Sequence, residues 1–433
     1  MLTVGMVRGL LAGCVGALLS LQSPAMAQMS HEHGSERACA EATLRCASKV
    51  TPTFAPDGTL WLAWAAGGKV SVARSPDLGR TFTAAVSVNP EPLALDWGPD
   101  ARPKIAIDRD GRVFVAFAIF KDKAFNGQVL YTHSVDGGRT FAPPVPITAN
   151  QESQRFEAIA LDSSGSLFAA WLDKRNRVPA KARNETYVGA ALAFAWSNDH
   201  GSSISETRIA QDNTCECCRL AISFVAPGRP VIAFRNVFGG TVRDHAVMTF
   251  LDPQTPGPIH RISVDDWKTD VCPHHGPSLA ISADGTYHVT WFTDGLARKG
   301  LFYARSSDGG ATFSEPMPVG RSDRNPAHPY LIAAKGALWL VWKEFDGEKT
   351  TVSVMTSHDD GRTWSAAKIA AETSNARIIR CWCRAEDASF SPGKRTLKAT
   401  GSCPWRTRDE KAICIRATDP HDASMVMRSG LGK

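Results

Sequence analysis

Two short insertions concentrate the side chains best suited to chemistry. Residues 212–219 read DNTCECCR, and residues 270–277 read DVCPHHGP. Their four thiols and two imidazoles belong to Cys215, Cys217, Cys218, Cys272, His274 and His275. Thiolates and imidazoles are ligands that suit copper(I) or zinc. The two insertions therefore predict a metal site or a thiol redox site.

The same cysteines have a structural alternative. In an oxidising compartment cysteines commonly form disulfides. Cys215 or Cys217 could bridge to Cys272, and the adjacent Cys217 and Cys218 could form a vicinal disulfide. The two histidines that directly follow Cys272 have no role in a disulfide. For this reason the cluster as a whole favours metal binding or redox chemistry.

The N-terminal segment has the features of an export signal. Arg8 precedes a mostly apolar run at residues 9–21, and residues 25–27 (Ala-Met-Ala) give a small-x-small site for cleavage before Gln28. The apolar run is too short for a comfortable membrane span, and no later stretch approaches one. We expect a periplasmic or secreted protein with no membrane span after cleavage.

A polar lead, residues 28–49, follows the signal. Its cysteines, Cys39 and Cys46, could close a small disulfide loop. Copper is the favoured metal in an exported setting, with zinc as the alternative. The lead is compatible with copper capture because it carries Met29, His31 and His33. The expected partners are a metal ion or another exported protein.

An eight-residue turn organises the rest of the chain. Residues 134–141 read SVDGGRTF. Related copies of this sequence start at residues 75, 306 and 357, and a degenerate copy starts at residue 197. In the pattern Ser-x-Asp-x-Gly-x-Thr-aromatic, the Asp accepts bonds from backbone N–H groups and the Gly takes the left-handed conformation. A polar turn repeated in this way indicates a repeated fold.

The units between the turns are made of strands. Each has an inner apolar strand, a glycine turn and a second strand that ends in an aromatic residue, as at 102–111 followed by 113–117. Short strands without a long helical period predict an all-β protein. The turns are 59, 63, 109 and 51 residues apart, and the long step holds a strand pair at 219–234. Six units of four strands predict a six-bladed β-propeller.

The expected domain boundaries follow from these patterns. They are a signal peptide at 1–27, the lead at 28–49, the propeller at 50–375 and an irregular basic tail at 376–433. The tail has twelve basic and six acidic residues, which accounts for the whole net charge of +6. The body is therefore neutral, and no nucleic-acid partner is expected. The tail is either an appended segment or an aberrant end.

The repeat predicts that the two insertions meet. Aligning the strand-turn glycines Gly111, Gly228 and Gly285 places Cys218 and His275 at corresponding positions. Inner strands run along the central channel of a propeller, so the insertions of neighbouring blades should gather at one mouth of that channel. The other residues expected at this mouth are His328, Trp97 and Arg102.

The turns resemble the Asp-box (BNR) repeats of the sialidase superfamily, and the six units resemble the sialidase propeller. The resemblance covers residues 50–374. It implies the fold rather than an activity, because Asp-boxes are structural and lie away from the active site.

The resemblance also implies an alternative function, exo-α-sialidase, with a glycan as partner. Sialidases use three arginines for the substrate carboxylate, a Tyr–Glu pair and an Asp acid/base. The Phe/Tyr-Arg-Ile-Pro-like sequence of the family does not occur here, and the nearest match is Arg102. Candidates for the remaining roles are Glu157, Arg219, Arg235 and Tyr330, with Asp96 or Asp100 as the acid.

The missing arginine sequence favours a non-hydrolytic protein that binds a metal or manages thiol redox. A scaffold whose cysteines are only structural is a third hypothesis.

Overall fold

A computed structural model describes residues 44–96, 100–269 and 274–373, and the backbone of two strands at 378–382 and 411–415. Six four-stranded sheets follow one another along this part of the chain, and every pairing within them is antiparallel. The inner strands of successive sheets contact each other. The protein is a six-bladed β-propeller, so the predicted fold class is confirmed.

Each blade uses four consecutive strands. Blades 1 to 3 consist of β1 (Ser48–Phe54), β2 (Leu60–Ala66), β3 (Lys69–Ser75), β4 (Val86–Ser87), β5 (Lys104–Ile107), β6 (Val113–Phe120), β7 (Gly127–Ser134), β8 (Val145–Pro146), β9 (Gln154–Leu161), β10 (Leu167–Asp173), β11 (Ala190–Ser197) and β12 (Arg208–Thr214). Blades 4 to 6 consist of β13 (Ala221–Ala226), β14 (Arg229–Arg235), β15 (His245–Asp252), β16 (Thr255–Arg261), β17 (Ser278–Ile281), β18 (Tyr287–Asp294), β19 (Lys299–Ser306), β20 (Met317–Val319), β21 (Ala327–Ala334), β22 (Ala337–Phe345), β23 (Thr350–Ser357) and β24 (Lys368–Thr373).

Helix is scarce among the described residues. A single α-helix, α1 (Arg177–Ala182), lies in the loop between β10 and β11, and short 3₁₀ turns occupy Leu44–Cys46 and Ser322–Arg324. No helix in these ranges is long and apolar enough to cross a membrane. The predicted signal peptide and residues 28–43 of the polar lead lie outside the described residues.

The core lies between the blades. The aromatic residue that ends the second strand of each unit is at most 2% exposed in every blade: Trp64, Phe117, Trp171, Phe234, Trp291 and Trp342. The apolar faces of neighbouring blades pack around these rings in separate clusters. Burial of such rings is the main favourable contribution to the stability of the ring of blades.

The eight-residue turns share one hydrogen-bond pattern. In blade 2 the Ser134 hydroxyl donates to Asp136 at 2.7 Å, and the Thr140 hydroxyl donates to the same carboxylate at 2.6 Å. These bonds, the Thr140 hydroxyl above all, hold the pKa of Asp136 well below its ordinary value. Gly138 has φ 76°, and a Cβ at this position would lie 2.7 Å from the Trp61 ring of blade 1. The turn therefore braces its own blade against the preceding one.

The tail contains two strands that the sequence pattern did not reveal. β25 (Ile378–Trp382) pairs in parallel with β26 (Lys411–Ile415), and β25 contacts β1 and β23. A parallel pair has no hairpin turn between its strands, so the local turn signals that identified the blades are missing here. The boundary of the tail at residue 376 stays a prediction.

Candidate metal centre and channel mouth

The start of each inner strand lies at one mouth of the channel, on the side opposite the eight-residue turns. Several of these starts carry a β-bulge. The ladder shifts register beside Lys49, Phe156 and His328, and each of these residues has a positive φ of 49–57°. Bulges of this kind re-aim side chains and often occur next to functional sites. The bulges were not foreseen from the sequence, because nothing in the local residue pattern marks them.

The first insertion forms a compact group of thiols between β12 and β13. Cys215, Cys217 and Cys218 are 1%, 3% and 2% exposed. The Cys215 sulfur lies 3.8 Å from that of Cys217 and 3.7 Å from that of Cys218, and all three sulfurs lie within 4.8 Å of one another. None of these three cysteines is disulfide-bonded. Among the described residues, this is the group of side chains whose geometry suits a metal ion.

Two buried arginines contact these sulfurs. Arg243 Nη1 lies 3.5 Å from the Cys215 sulfur, and Arg235 Nη1 lies 3.8 Å from the Cys218 sulfur. The Arg235 guanidinium is stacked 3.7 Å over the Trp267 ring and is 1% exposed. A guanidinium is permanently charged, so burial at this place favours a negative charge on the sulfurs.

The pKa values of two of the thiols are shifted in opposite directions. Hydrogen bonds from Cys217 and Cys218 lower the pKa of Cys215 well below its ordinary value, and the charges of Arg235 and Arg243 act in the same direction. The hydrogen bond to Cys215 raises the pKa of Cys218 to about 12. Cys215 is therefore the thiolate of the group, and Cys218 is a thiol that donates to it.

The predicted ligands of the second insertion are placed differently. The His274 ring lies 5.9 Å from the Phe156 ring. The His275 ring stacks on Phe292 at 4.2 Å and lies tilted against His328 at 4.9 Å. Burial lowers the pKa of His275 to about 4, so this ring is neutral. Neither histidine belongs to the group of close sulfurs.

Other predicted residues fall outside the description. Cys272, Trp97, Cys39 and the Met/His lead lie outside the described residues. The disulfide between Cys39 and Cys46 stays a prediction.

The two insertions nevertheless touch. A Cβ on Gly276 would lie 2.4 Å from the backbone oxygen of Arg219, so only glycine permits this approach. Behind this contact, His245 Nε2 lies 3.3 Å from the His275 carbonyl oxygen. Burial lowers the pKa of His245 to about 3, and the charge of Arg235 contributes in the same direction. His245 was not singled out in the sequence because it lies inside a regular strand.

Arg219 links three blades at the channel mouth. Its Nη1 lies 3.4 Å from Asp100, which precedes blade 2, and its Nη2 donates to the Pro329 carbonyl oxygen of blade 6 at 2.9 Å. The other Asp100 oxygen is buried and has no hydrogen bond among the described residues. A polar bridge therefore crosses the ring at this mouth.

A buried acid and a half-buried amine lie beside this bridge. Glu157 is 1% exposed, and neither of its carboxylate oxygens has a hydrogen bond among the described residues. Burial raises the pKa of Glu157 to about 7, against the opposing charge of Lys104. Burial likewise lowers the pKa of Lys104, which feels the charges of Glu157, Arg102, Asp100 and Arg219.

The sialidase-type candidates therefore divide into two groups. Arg102, Glu157 and Arg219 surround Lys104, whereas Arg235 lies with the thiols. Asp96 is held by Arg155 at 2.6 Å, and Tyr330 is 40% exposed on β21. Lys104 was overlooked because one lysine in a short apolar strand usually marks a solvated edge.

Comparisons with known proteins agree with the fold. No protein-family model matches the chain, and the sequence matches no curated protein. Among solved structures, the chain is similar to an ulvan lyase of polysaccharide lyase family PL25, with 11% identity over 75% of this chain and 85% of that one and a TM-score of 0.51. It also matches an α-L-arabinofuranosidase from Fusarium graminearum, with 14% identity over 72% and 93% of the two chains and a TM-score of 0.46. A sialidase from Trypanosoma rangeli matches with 12% identity over 69% of this chain and 52% of that one, and the TM-score is 0.44.

At these identities the likeness shows the fold alone. Fold and site together define a six-bladed propeller whose structural neighbours include glycan-active proteins. Within that class, this chain carries a buried group of three cysteines that are not disulfide-bonded.

Proposed function

We propose that this protein is an exported, non-hydrolytic propeller that binds a thiophilic metal ion through Cys215, Cys217 and Cys218. Copper is the favoured metal and zinc is the alternative. The observation that carries the proposal is the group of three buried sulfurs within 4.8 Å of one another. Soft thiolates select copper(I) or zinc over harder cations.

The charge of the surroundings favours a monovalent ion. Three thiolates that bind copper(I) retain two negative charges, and the guanidiniums of Arg235 and Arg243 lie against these sulfurs with two positive charges. Zinc would leave a single negative charge on the thiolates. Since uncompensated charge is costly in a buried site, copper(I) gives the better balance.

Thiol redox is the other use of the same group. Cys215 is the thiolate, and the Cys218 thiol lies within reach of it. Oxidation by an exported disulfide-bearing partner would transfer two electrons to that partner's disulfide and leave a Cys215–Cys218 disulfide. Metal handling and assembly of another exported protein are therefore roles that share one site.

Competition with a chromogenic copper(I) chelator tests the proposal. The reduced full chain should take copper from the chelator at one ion per chain, and Cys215→Ser and Cys218→Ser should abolish this. His274→Gln is the matched control, because His274 lies outside the sulfur group and should leave copper binding unchanged. Reduced protein with titratable thiols that retains neither copper nor zinc would overturn the proposal.

A second candidate function, glycan hydrolysis of the exo-α-sialidase type, is favoured by one observation. Glu157 is a buried carboxyl group without a hydrogen-bond partner in the described part of the chain, and it lies beside Lys104 and the Arg219–Asp100 pair. Perturbed acids in clefts are frequent at catalytic sites. Turnover of a fluorogenic sialoside, lost in Glu157→Gln and Arg219→Gln, would establish this activity. Absence of turnover by folded protein would exclude it for that substrate.

A further inference from the structure

A polar pocket opens between blades 2 and 3, beside the sulfur group, but neither the three cysteines nor Lys104 belongs to its lining. Its volume is about 150 Å³, and its lining includes Phe125, Arg155, Lys174, Arg177 and Glu216. Pockets that enclose drug-sized ligands measure about 300–1,000 Å³. This pocket therefore suits one small group, such as a single sugar ring of a longer chain.

The loops around the pocket are strongly basic. Residues 121–126, between β6 and β7, and residues 174–189, between β10 and β11, together carry seven basic and two acidic side chains. The body of the protein was expected to have no basic face, because its charges balance over the whole sequence. The structure brings two separate basic loops to one edge, which a count along the chain does not reveal.

One wall of the pocket is a fixed cation. Asp96 holds the Arg155 guanidinium at 2.6 Å and 3.0 Å. The same guanidinium stacks on Phe120 at 5.1 Å and on Phe156 at 4.8 Å. A cation held in this way can contact a ligand without a further loss of side-chain entropy.

The rim presents an aromatic ring. Phe125 is 49% exposed and has φ 60°, which is uncommon for a bulky residue. Asp122 fixes its loop by accepting hydrogen bonds from the backbone N–H of Ala124 at 2.9 Å and from the side chain of Asn126 at 2.8 Å. Non-glycine residues in this conformation often occur at ligand sites.

A further cation faces solvent at the pocket. Arg177 is exposed, and its side chain makes no ion pair within the described part of the chain. Lys174, by contrast, is paired with Glu216 at 2.5 Å. The free charge of Arg177 is therefore available to an anionic ligand.

We propose that this pocket binds a carboxylate-bearing sugar ring of an acidic polysaccharide. The Phe125 ring packs against the apolar C–H face of the sugar, and Arg177 binds its carboxylate, with Arg155 completing the polar wall. An aromatic platform next to guanidinium groups matches a uronate, which has both an apolar face and a charge. This site goes beyond the metal proposal and does not depend on it.

Calorimetry with trigalacturonate, and with neutral maltotriose as the comparison, tests this site on the full chain. The chain should bind trigalacturonate, and the affinity should fall as salt is added. Maltotriose should bind at least about tenfold more weakly. Arg177→Gln and Phe125→Ala should each lower the affinity about tenfold, which corresponds to the loss of one charge-assisted or stacking contact. Arg80→Gln, an exposed arginine on the turn side of the ring, is the matched control and should bind like the wild type.

Three results would overturn the proposal. The first is absence of trigalacturonate binding by wild-type protein that is shown to be folded by its thermal unfolding. The second is equal binding of Arg177→Gln, Phe125→Ala and the control. The third is equal affinity for a polyglutamate peptide, which would indicate an acidic protein as the ligand. Cys215→Ser should bind trigalacturonate normally, so failure of the metal proposal remains distinguishable from failure of this one.

Discussion

The guanidinium of Arg243 lies 3.5 Å from the sulfur of Cys215, which belongs to a group of three buried cysteines. Arg243 is 7% exposed and Cys215 is 1% exposed, so the contact is shielded from water. A buried cation against a buried thiol favours the thiolate and, with it, a soft cation bound to sulfur.

Arg243→Gln should weaken copper(I) binding by at least about tenfold, because it removes a charge that balances the copper–thiolate complex. Zinc binding should change less, since zinc itself neutralises more of the thiolate charge. Competition titrations with copper(I) and zinc on the same protein measure both effects. Arg243→Lys keeps the charge and should restore most of the copper affinity. Equal losses for the two metals would contradict the charge argument.

Glu157 should make stability depend on pH. Its pKa is raised from 4.5 to about 7 in the folded protein. The unfolded chain therefore releases this proton more readily, and wild-type protein should lose stability relative to Glu157→Gln as pH rises from 4.5 to about 7. The loss should approach about 3 kcal/mol. Below pH 4.5 both states are protonated and this contribution vanishes.

Denaturant unfolding of wild type and Glu157→Gln across this pH range measures the difference. A constant difference at all pH values would show that Glu157 does not titrate in this window. The two proteins are compared by the slope of the free energy of unfolding against pH rather than by its absolute value. A packing change caused by the amide shifts the absolute value and leaves the slope unchanged.

Gly361 should be far less tolerant than Gly309. A Cβ on Gly361 would lie 1.7 Å from the Tyr303 hydroxyl of the preceding blade, whereas a Cβ on Gly309 meets nothing within 4 Å. Both have φ 75°. Gly309→Ala should therefore cost only the conformational penalty of about 1 kcal/mol, and Gly361→Ala should cost at least about 3 kcal/mol because overpacking is added.

Thermal and denaturant unfolding of the two glycine variants provide the comparison. Gly309→Ala is the control. Asp360 occupies the equivalent position in the turn of blade 6 with φ 60°, so this position accepts a side chain. Similar destabilisation by the two substitutions would show that the turns do not brace neighbouring blades.

The fold was predictable because its signals are local and repeated. The Asp136-type turns and the aromatic ends of second strands, such as Trp171, recur at regular distances and mark every blade except blade 4, which lacks the turn. The adjacency of Arg219 and Gly276 also followed from the blade alignment. These inferences needed the order of units along the chain and nothing finer.

The site was only partly predictable. Cys215, Cys217 and Cys218 are close in sequence, so their proximity in space was expected, whereas His274 and His275 are directed to Phe156 and Phe292 by packing within and between blades. The arginines that contact the thiols and favour their negative charge come from the end of β14 and the loop after it. No sequence pattern joins these arginines to the insertion. Contacts of this kind depend on how one blade turns against the next.

X-ray absorption at the copper edge, measured on the full chain loaded with copper(I), shows which atoms bind the metal. Copper held by Cys215, Cys217 and Cys218 should have a first shell of three sulfurs that disappears in Cys215→Ser and persists in His274→Gln. A shell dominated by nitrogen or oxygen, or Cys215, Cys217 and Cys218 recovered as disulfides from protein that cannot be loaded after reduction, would contradict this prediction.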